Sequence, residues 1–403
     1  MYSIITILIW KRTCLVMREY MKSRITLFSF VWLTLVIIPE TTIINQTIGN
    51  ALFITHTLIF LLYISYEQSH IKMTNNKLVF LPIIIITSIL FYHTIQSQLQ
   101  FNYQYFYIIY TIIPVLTAIY VFPNYNHVSN FKQFAAISGS VLVLIAVPAY
   151  LFGEYTILWF EVRLAENAYY PDRMTSIFSQ SGNQFAPLLL VSIISSVDLF
   201  RRTSNIWLVA LIINLFGLVA TNSRTGISGI ILGLVIYIIA VKGPRWIVGA
   251  AVGGVVAVTL ATLMFVFNIR PWPSLVEIIG FEARRGIWEA AALSMDGNQL
   301  LGHGLIGSAE AYGDFLYEPQ SPHNGYVNAY ITTGILGVTS YVLLYTYTVL
   351  RSYLIVPSPF CLSLLSVFLY WQVFNGAWLI TNAMESILMA ILIGYVLYPH
   401  TVD

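Results

Sequence analysis

The feature that most restricts this chain is a succession of apolar runs from residue 25 to residue 398, each about as long as a bilayer is thick. Twelve are read: roughly 25–39, 43–65, 78–96, 104–122, 132–153, 183–199, 205–221, 224–241, 246–268, 325–350, 359–378 and 381–398. A helix needs about 20 apolar residues to cross the hydrocarbon core. Many runs are rich in Ile, Val and Phe, which favour strands in water. In hydrocarbon a lone strand leaves its backbone groups without partners, whereas a helix satisfies its own. Only 9% of residues are charged, against about 25% in soluble domains, so most of the surface must face lipid. The expected fold is all-α and integral to the membrane. It has about twelve transmembrane helices in a single domain over 1–403.

The first ten residues are apolar and precede Lys11-Arg12. A secretory signal has the opposite order of charge and apolar run, so none is read; Met17 or Met21 could equally be the start. Cys14 and Cys361 form no disulfide framework and are expected as free thiols.

Placing the N-terminus inside puts Lys11, Arg12, Arg18, Lys22, Arg24, Lys72, Lys77, Lys132, Arg201, Arg202, Lys242, Arg245 and Arg351 on the cytoplasmic side. This satisfies the positive-inside rule, and an even number of spans puts the C-terminus inside too. The outer side keeps Arg163, Arg173, Arg224, Arg270, Arg284 and Arg285, all arginines. A guanidinium is a planar fork suited to phosphate oxygens. The alternative is that these arginines pair with outer acids such as Glu154, Glu161, Asp172, Glu282 and Glu289.

Two outer loops are long, 154–182 and 269–324, and short helices are expected in them. Loops of that length in a compact protein are usually functional. Arg224 stands in Thr221-Asn222-Ser223-Arg224-Thr225-Gly226 between two apolar runs, where it either snorkels to headgroups or binds an anion. Residues 281–293 are expected to be helical. That spacing stacks Arg284 over Trp288 and gives Arg285 a partner in Glu289, leaving Arg284 the better ligand candidate. Trp288 is read as packing or interfacial anchoring. Gly302-His303-Gly304-Leu305-Ile306-Gly307 matches GxGxxG only by spacing and lacks the βαβ context, so a tight turn is read instead. His323-Asn324 stands at the mouth of the tenth span, where a histidine can act as a general base near neutral pH. No metal signature is present. Gly229–Gly233 and Gly249–Gly253 are read as close helix packing.

The ordered set Arg173-Met-Thr-Ser-Ile-Phe, Asn183, Ser223-Arg224, Arg284-x-x-x-Trp288, Gly302-x-Gly304, His323-Asn324 and Gly334-Ile-Leu-Gly337 resembles the superfamily of O-antigen ligases and Wzy-type O-antigen polymerases, over roughly residues 170–345. The resemblance implies glycan transfer from a polyprenyl-pyrophosphate carrier to an acceptor hydroxyl. The reaction would occur at the outer face of the cytoplasmic membrane, without metal or other cofactor. By motif position Arg224 and Arg284 would bind the pyrophosphate, with Arg285 able to substitute and Arg173 a further contact. His323 would be the catalytic base, and Asn324 and Trp288 would support it. The implied partners are the lipid-linked glycan, a glycan or lipid acceptor and membrane lipids; nucleic acid is not expected. Polymerase is favoured, with ligase as the alternative. From another class, a transporter or lipid-linked glycan flippase would instead place its polar groups mid-membrane, near His56, Pro114, Pro148 or Pro187.

Overall fold

The computed structural model describes residues 26–66, 77–96, 110–157, 160–167, 170–178, 182–266, 282–305, 322–356, 358–380 and 383–398. Its helices are α1 (Thr26–Glu40), α2 (Gln46–Tyr66), α3 (Lys77–Gln96), α4 (110–125, with a π-turn at Thr117–Val121), α5 (Val128–Phe152), α6 (Gly182–Arg202) and α7 (Ile206–Ala220). They continue with α8 (Arg224–Lys242), α9 (Arg245–Val266), α10 (Glu282–Ser294), α11 (Gly325–Leu354), α12 (Pro359–Phe374) and α13 (Met384–Leu397). Each expected span contains a helix, with residues 25, 104–109, 267–268 and 381–382 outside the described residues. Helices α2, α5, α6, α8, α9 and α11 are long and apolar enough to cross a membrane; α1, α7, α12, α13 and Leu81–Ile95 of α3 are apolar but shorter. Cys361 is a buried free thiol, while Cys14 lies outside the described residues.

The first outer loop differs from expectation. It holds a three-stranded antiparallel sheet, not short helices: β1 (Tyr155–Ile157), β2 (Phe160–Asn167) and β3 (Tyr170–Ser176), in that order. Val162 is fully buried between exposed Glu161 and Arg163, the alternation of a strand lying on a core. The sheet rests on the bundle: Ser176 Oγ donates to the Leu142 carbonyl at 2.8 Å, and Thr42 N–H donates to the Ile177 carbonyl at 2.7 Å. Of the second loop, α10 is a helix as expected; residues 269–281 and 306–321 lie outside the described residues.

Helices α6, α12 and α13 form the centre, with nearly every residue of α12 and α13 buried. Around them, α7 and α8 expose Val209, Ile212, Phe216, Ile231, Val235 and Ile238, an apolar rim whose natural solvent is lipid. Close approach of α8 to α12 needs Gly233: a Cβ there would lie 2.7 Å from Val367, and Ser363 Oγ donates to its carbonyl at 2.7 Å. The second glycine pair is different. Gly249 packs on Tyr353, but Gly253 faces open space, so only one member of that pair makes a close contact.

Alternating helix directions sort the ends into two groups. At one end Lys132 (2.7 Å), Arg202 (3.1 Å) and the Tyr237 hydroxyl (2.6 Å) converge on the buried Asp198 carboxylate, tying α5, α6 and α8 together. At the other end Met384 N–H donates to Glu40 at 2.8 Å and Ser223 Oγ to Asn183 at 2.9 Å. The candidate residues lie at this second end.

Candidate active site

The C-terminal end of α12 is the hub. Asn324 caps α11, accepting from the Tyr326 and Val327 N–H groups at 2.9 and 3.1 Å, and its Nδ2 donates to the Val373 carbonyl at 3.0 Å. One residue on, the Phe374 carbonyl accepts from the Arg284 guanidinium at 3.3 Å. Tyr326 donates its hydroxyl to the Leu369 carbonyl at 3.1 Å, and Asn328 donates to Gly376 at 2.9 Å. The last carbonyls of a helix lack intrahelical partners. Here α10 and α11 supply them, and so His323 and Arg284 are brought to one place.

Helix α10 turns Ile287, Trp288, Ala290 and Ala291 inward and Arg285 outward. Trp288 packs with Met295 against Val327 and Ile331. Its Nε1 donates to the Pro322 carbonyl at 2.8 Å, directly before His323. Trp288 is therefore packing, as expected, and also a tether for the histidine. Arg285 donates to Glu289 at 2.7 Å on an exposed face, the pairing the helical spacing predicts. Arg163 likewise pairs with Glu161 on the sheet. Two of the six arginines expected on the outer side thus pair with acids, and Arg270 lies outside the described residues.

His323 is exposed, with a left-handed backbone at φ 45°. The protein around its inner side strips hydration, and the Arg284 guanidinium opposes a second positive charge; together they hold the imidazole pKa below its ordinary value. Burial also lowers the Arg284 pKa, but a guanidinium remains a cation at neutral pH. The pair presents a fixed cation beside a neutral base.

Arg224 opens α8, with Ser223 as N-cap accepting from Gly226 N–H at 3.2 Å. The Arg224 side chain is exposed. One turn further along α8, Ser228 links this helix to α12. Ser228 donates to the Arg224 carbonyl at 2.9 Å and lies 2.8 Å from the Tyr370 hydroxyl, and the Tyr370 ring packs on Phe374 at 5.1 Å. Arg173 lies on β3, opposite Ala165 of β2. The non-glycine residues with left-handed φ among those described are Ser176, Asn222 and His323. Ser176 and His323 fall in the motif segments and Asn222 directly precedes one, and such strain concentrates at functional sites.

The sequence motifs hid a further contact. Helix α11 is interrupted at Gly334 (φ 64°, ψ −167°). The 299–303 turn enters the break: His303 N–H donates to the Ile331 carbonyl at 2.8 Å and Ile335 N–H to the Gln299 carbonyl at 2.9 Å. These bonds stand in for helical bonds the break removes, which is how irregular backbone is tolerated at membrane depth. A Cβ on Gly302 would lie 2.6 Å from Gly334 N, and a Cβ on Gly334 2.3 Å from the Leu300 carbonyl. The Gly302-x-Gly304 and Gly334-x-x-Gly337 motifs are thus the two halves of one joint.

Residues 209–342 match the family model of the O-antigen ligases, Wzy_C. Over this segment, about a third of its length, the chain is similar to the O-antigen ligase family. The segment includes Arg224, Arg284, Trp288, the Gly302–Gly334 joint and His323, whereas Arg173 lies outside it. The family consists of membrane glycan ligases and polymerases of surface-polysaccharide synthesis, so the match implies a lipid-linked glycan and an acceptor. No curated protein matches the chain. Among the described residues, no three His, Cys, Asp or Glu side chains gather as metal ligands.

Proposed function

We propose that this chain moves a glycan from a polyprenyl-pyrophosphate carrier to an acceptor hydroxyl at the outer face of the cytoplasmic membrane. The acceptor on this reading is another lipid-linked glycan, which makes the protein a polymerase. The observation that carries the proposal is the Arg284–His323 pair, held on the C-terminal end of α12 within the matched segment.

In the reaction the acceptor oxygen attacks the anomeric carbon, the bond from that carbon to the pyrophosphate oxygen breaks, and the hydroxyl proton passes to the His323 imidazole. Arg284 and Arg224 meet the negative charge gathering on the departing pyrophosphate, a preorganised electrostatic contribution. A lowered histidine pKa keeps the base ready at neutral pH. Arg173 supplies a further anionic contact from β3. Arg285 is the weaker donor of the pair, since Glu289 already holds it. The cytoplasmic end is the one bearing Lys132, Arg201 and Arg202, by the positive-inside rule.

The description of the matched family favours a second reading, attachment of the glycan to lipid A core or another surface acceptor. A deletion strain separates the two. Single-repeat surface glycan indicates a lost polymerase, and absence of glycan from its acceptor indicates a lost ligase. Unchanged surface glycan contradicts both. A transporter or flippase gains little support: His56, its mid-span candidate, is tied to the Phe28 carbonyl at 3.2 Å, and the candidate arginines and histidine gather at one end.

A further inference from the structure

Helix α10 and the first segment of α11, residues 325–333, form a paired unit that carries Arg284 and His323. It is fastened at the outer end by Trp288 on Pro322 and at the other end by the 299–303 turn in the α11 break. His303 closes the turn on itself, its Nε2 donating to the Ser294 carbonyl at 2.8 Å. What ties this unit to the rest of the bundle through the turn comes from α3. His93 Nε2 donates to the Leu301 carbonyl at 2.8 Å, across 208 residues of sequence. Its ring also fills the space beside Gly304, where a Cβ would lie 2.9 Å from His93 Cβ and 3.1 Å from Cγ. The accepting carbonyl requires a proton on Nε2.

We infer that His93 is a positioning residue for the Arg284–His323 pair, acting by locking the 299–303 turn into the Gly334 break. A polar ring at the outer end of an apolar helix is costly unless it has a task. Here it holds a backbone carbonyl that no helix satisfies. The turn sets the height of α10 along α11, and α10 sets where the Arg284 guanidinium stands relative to the imidazole. His93 touches neither substrate nor reacting atoms on this reading, and its kinetic role rests on the transferase function proposed above.

The test compares full-length protein in lipid nanodiscs as wild type, His93→Ala and His93→Gln, with His323→Ala as a control. Donor titrations with polyprenyl-pyrophosphate-linked glycan separate kcat from KM. Hydrogen exchange over residues 295–305 reads the turn without reference to activity. A misplacement of about 1 Å remote from the chemistry costs on the order of 100-fold. His93→Ala is therefore expected to lower kcat by roughly 10- to 100-fold with donor KM changed by less than about 3-fold, and to speed exchange in the turn. His93→Gln keeps an N–H donor and is expected to recover most of both. Wild-type kcat and exchange in His93→Ala overturn the inference, as do equal losses in both variants. Faster exchange in His93→Ala, together with no glycan transfer by the wild-type protein, leaves the lock standing and removes the transferase reading instead.

Discussion

Gly334→Ala probes the joint between the two glycine motifs. At φ 64° an L-residue costs about 1–3 kcal/mol. The added Cβ would lie 2.3 Å from the Leu300 carbonyl carbon and oxygen, where ordinary contact begins at 3.4 Å. The turn must then withdraw by the difference, 3.4 − 2.3, or about 1.1 Å. The bonds from His303 to Ile331 and from Ile335 to Gln299 begin at 2.8 and 2.9 Å, and that withdrawal takes them beyond hydrogen-bond range. Each lost bond costs about 0.5–1.5 kcal/mol. Together the variant is expected to be destabilised by about 2–6 kcal/mol. The same displacement moves α10 against α11, so transfer is expected to fall on the order of 100-fold in protein that remains folded. Thermal unfolding in detergent reads the first effect, and incorporation of labelled glycan in isolated membranes, normalised to folded protein, reads the second. Wild-type stability with wild-type transfer would refute the seating of the turn in the break.

Arg284→Ala removes the guanidinium that opposes protonation of His323. The imidazole pKa rises, so the acid limb of the pH–rate profile for residual transfer moves to higher pH; an unmoved limb contradicts the electrostatic coupling. Arg285→Ala removes an exposed i,i+4 pair with Glu289, worth about 0.3–0.5 kcal/mol. Stability and transfer are expected to stay near wild type, and a large loss of transfer would move the pyrophosphate contact from Arg284 to Arg285. Asp198→Ala leaves the buried Lys132 without its carboxylate and is expected to cost about 3–5 kcal/mol at the opposite end; an unchanged unfolding midpoint would show that the cluster is not structural.

The helices were legible because hydrocarbon leaves the backbone few options, and apolar length carries that constraint. The sheet carries only a short signal in the sequence: Glu161-Val162-Arg163 alternates with period two, inside a segment that its length and place between two spans mark as a loop. The Arg285–Glu289 pair and the packing role of Trp288 followed from helical spacing, a local property. The break in α11 was not legible, since Gly334 sits in an apolar run that reads as continuous. Only a turn more than thirty residues away, supplying the replacement hydrogen bonds, makes the interruption tolerable. The place of His93 is illegible for the same reason: a lone histidine in an apolar helix shows nothing of the distant carbonyl it holds. Sequence order identified Arg284 and His323 separately, and the carbonyls of Val373 and Phe374 are what bring them together.

The sharpest single measurement uses His323→Ala in proteoliposomes loaded with polyprenyl-pyrophosphate-linked glycan, with donor binding and glycan transfer followed in one sample. Binding close to wild type with transfer abolished is the result a base beside an intact pyrophosphate grip requires. Transfer near the wild-type rate would mean that the acceptor proton leaves by another route, and the assignment of His323 would be wrong.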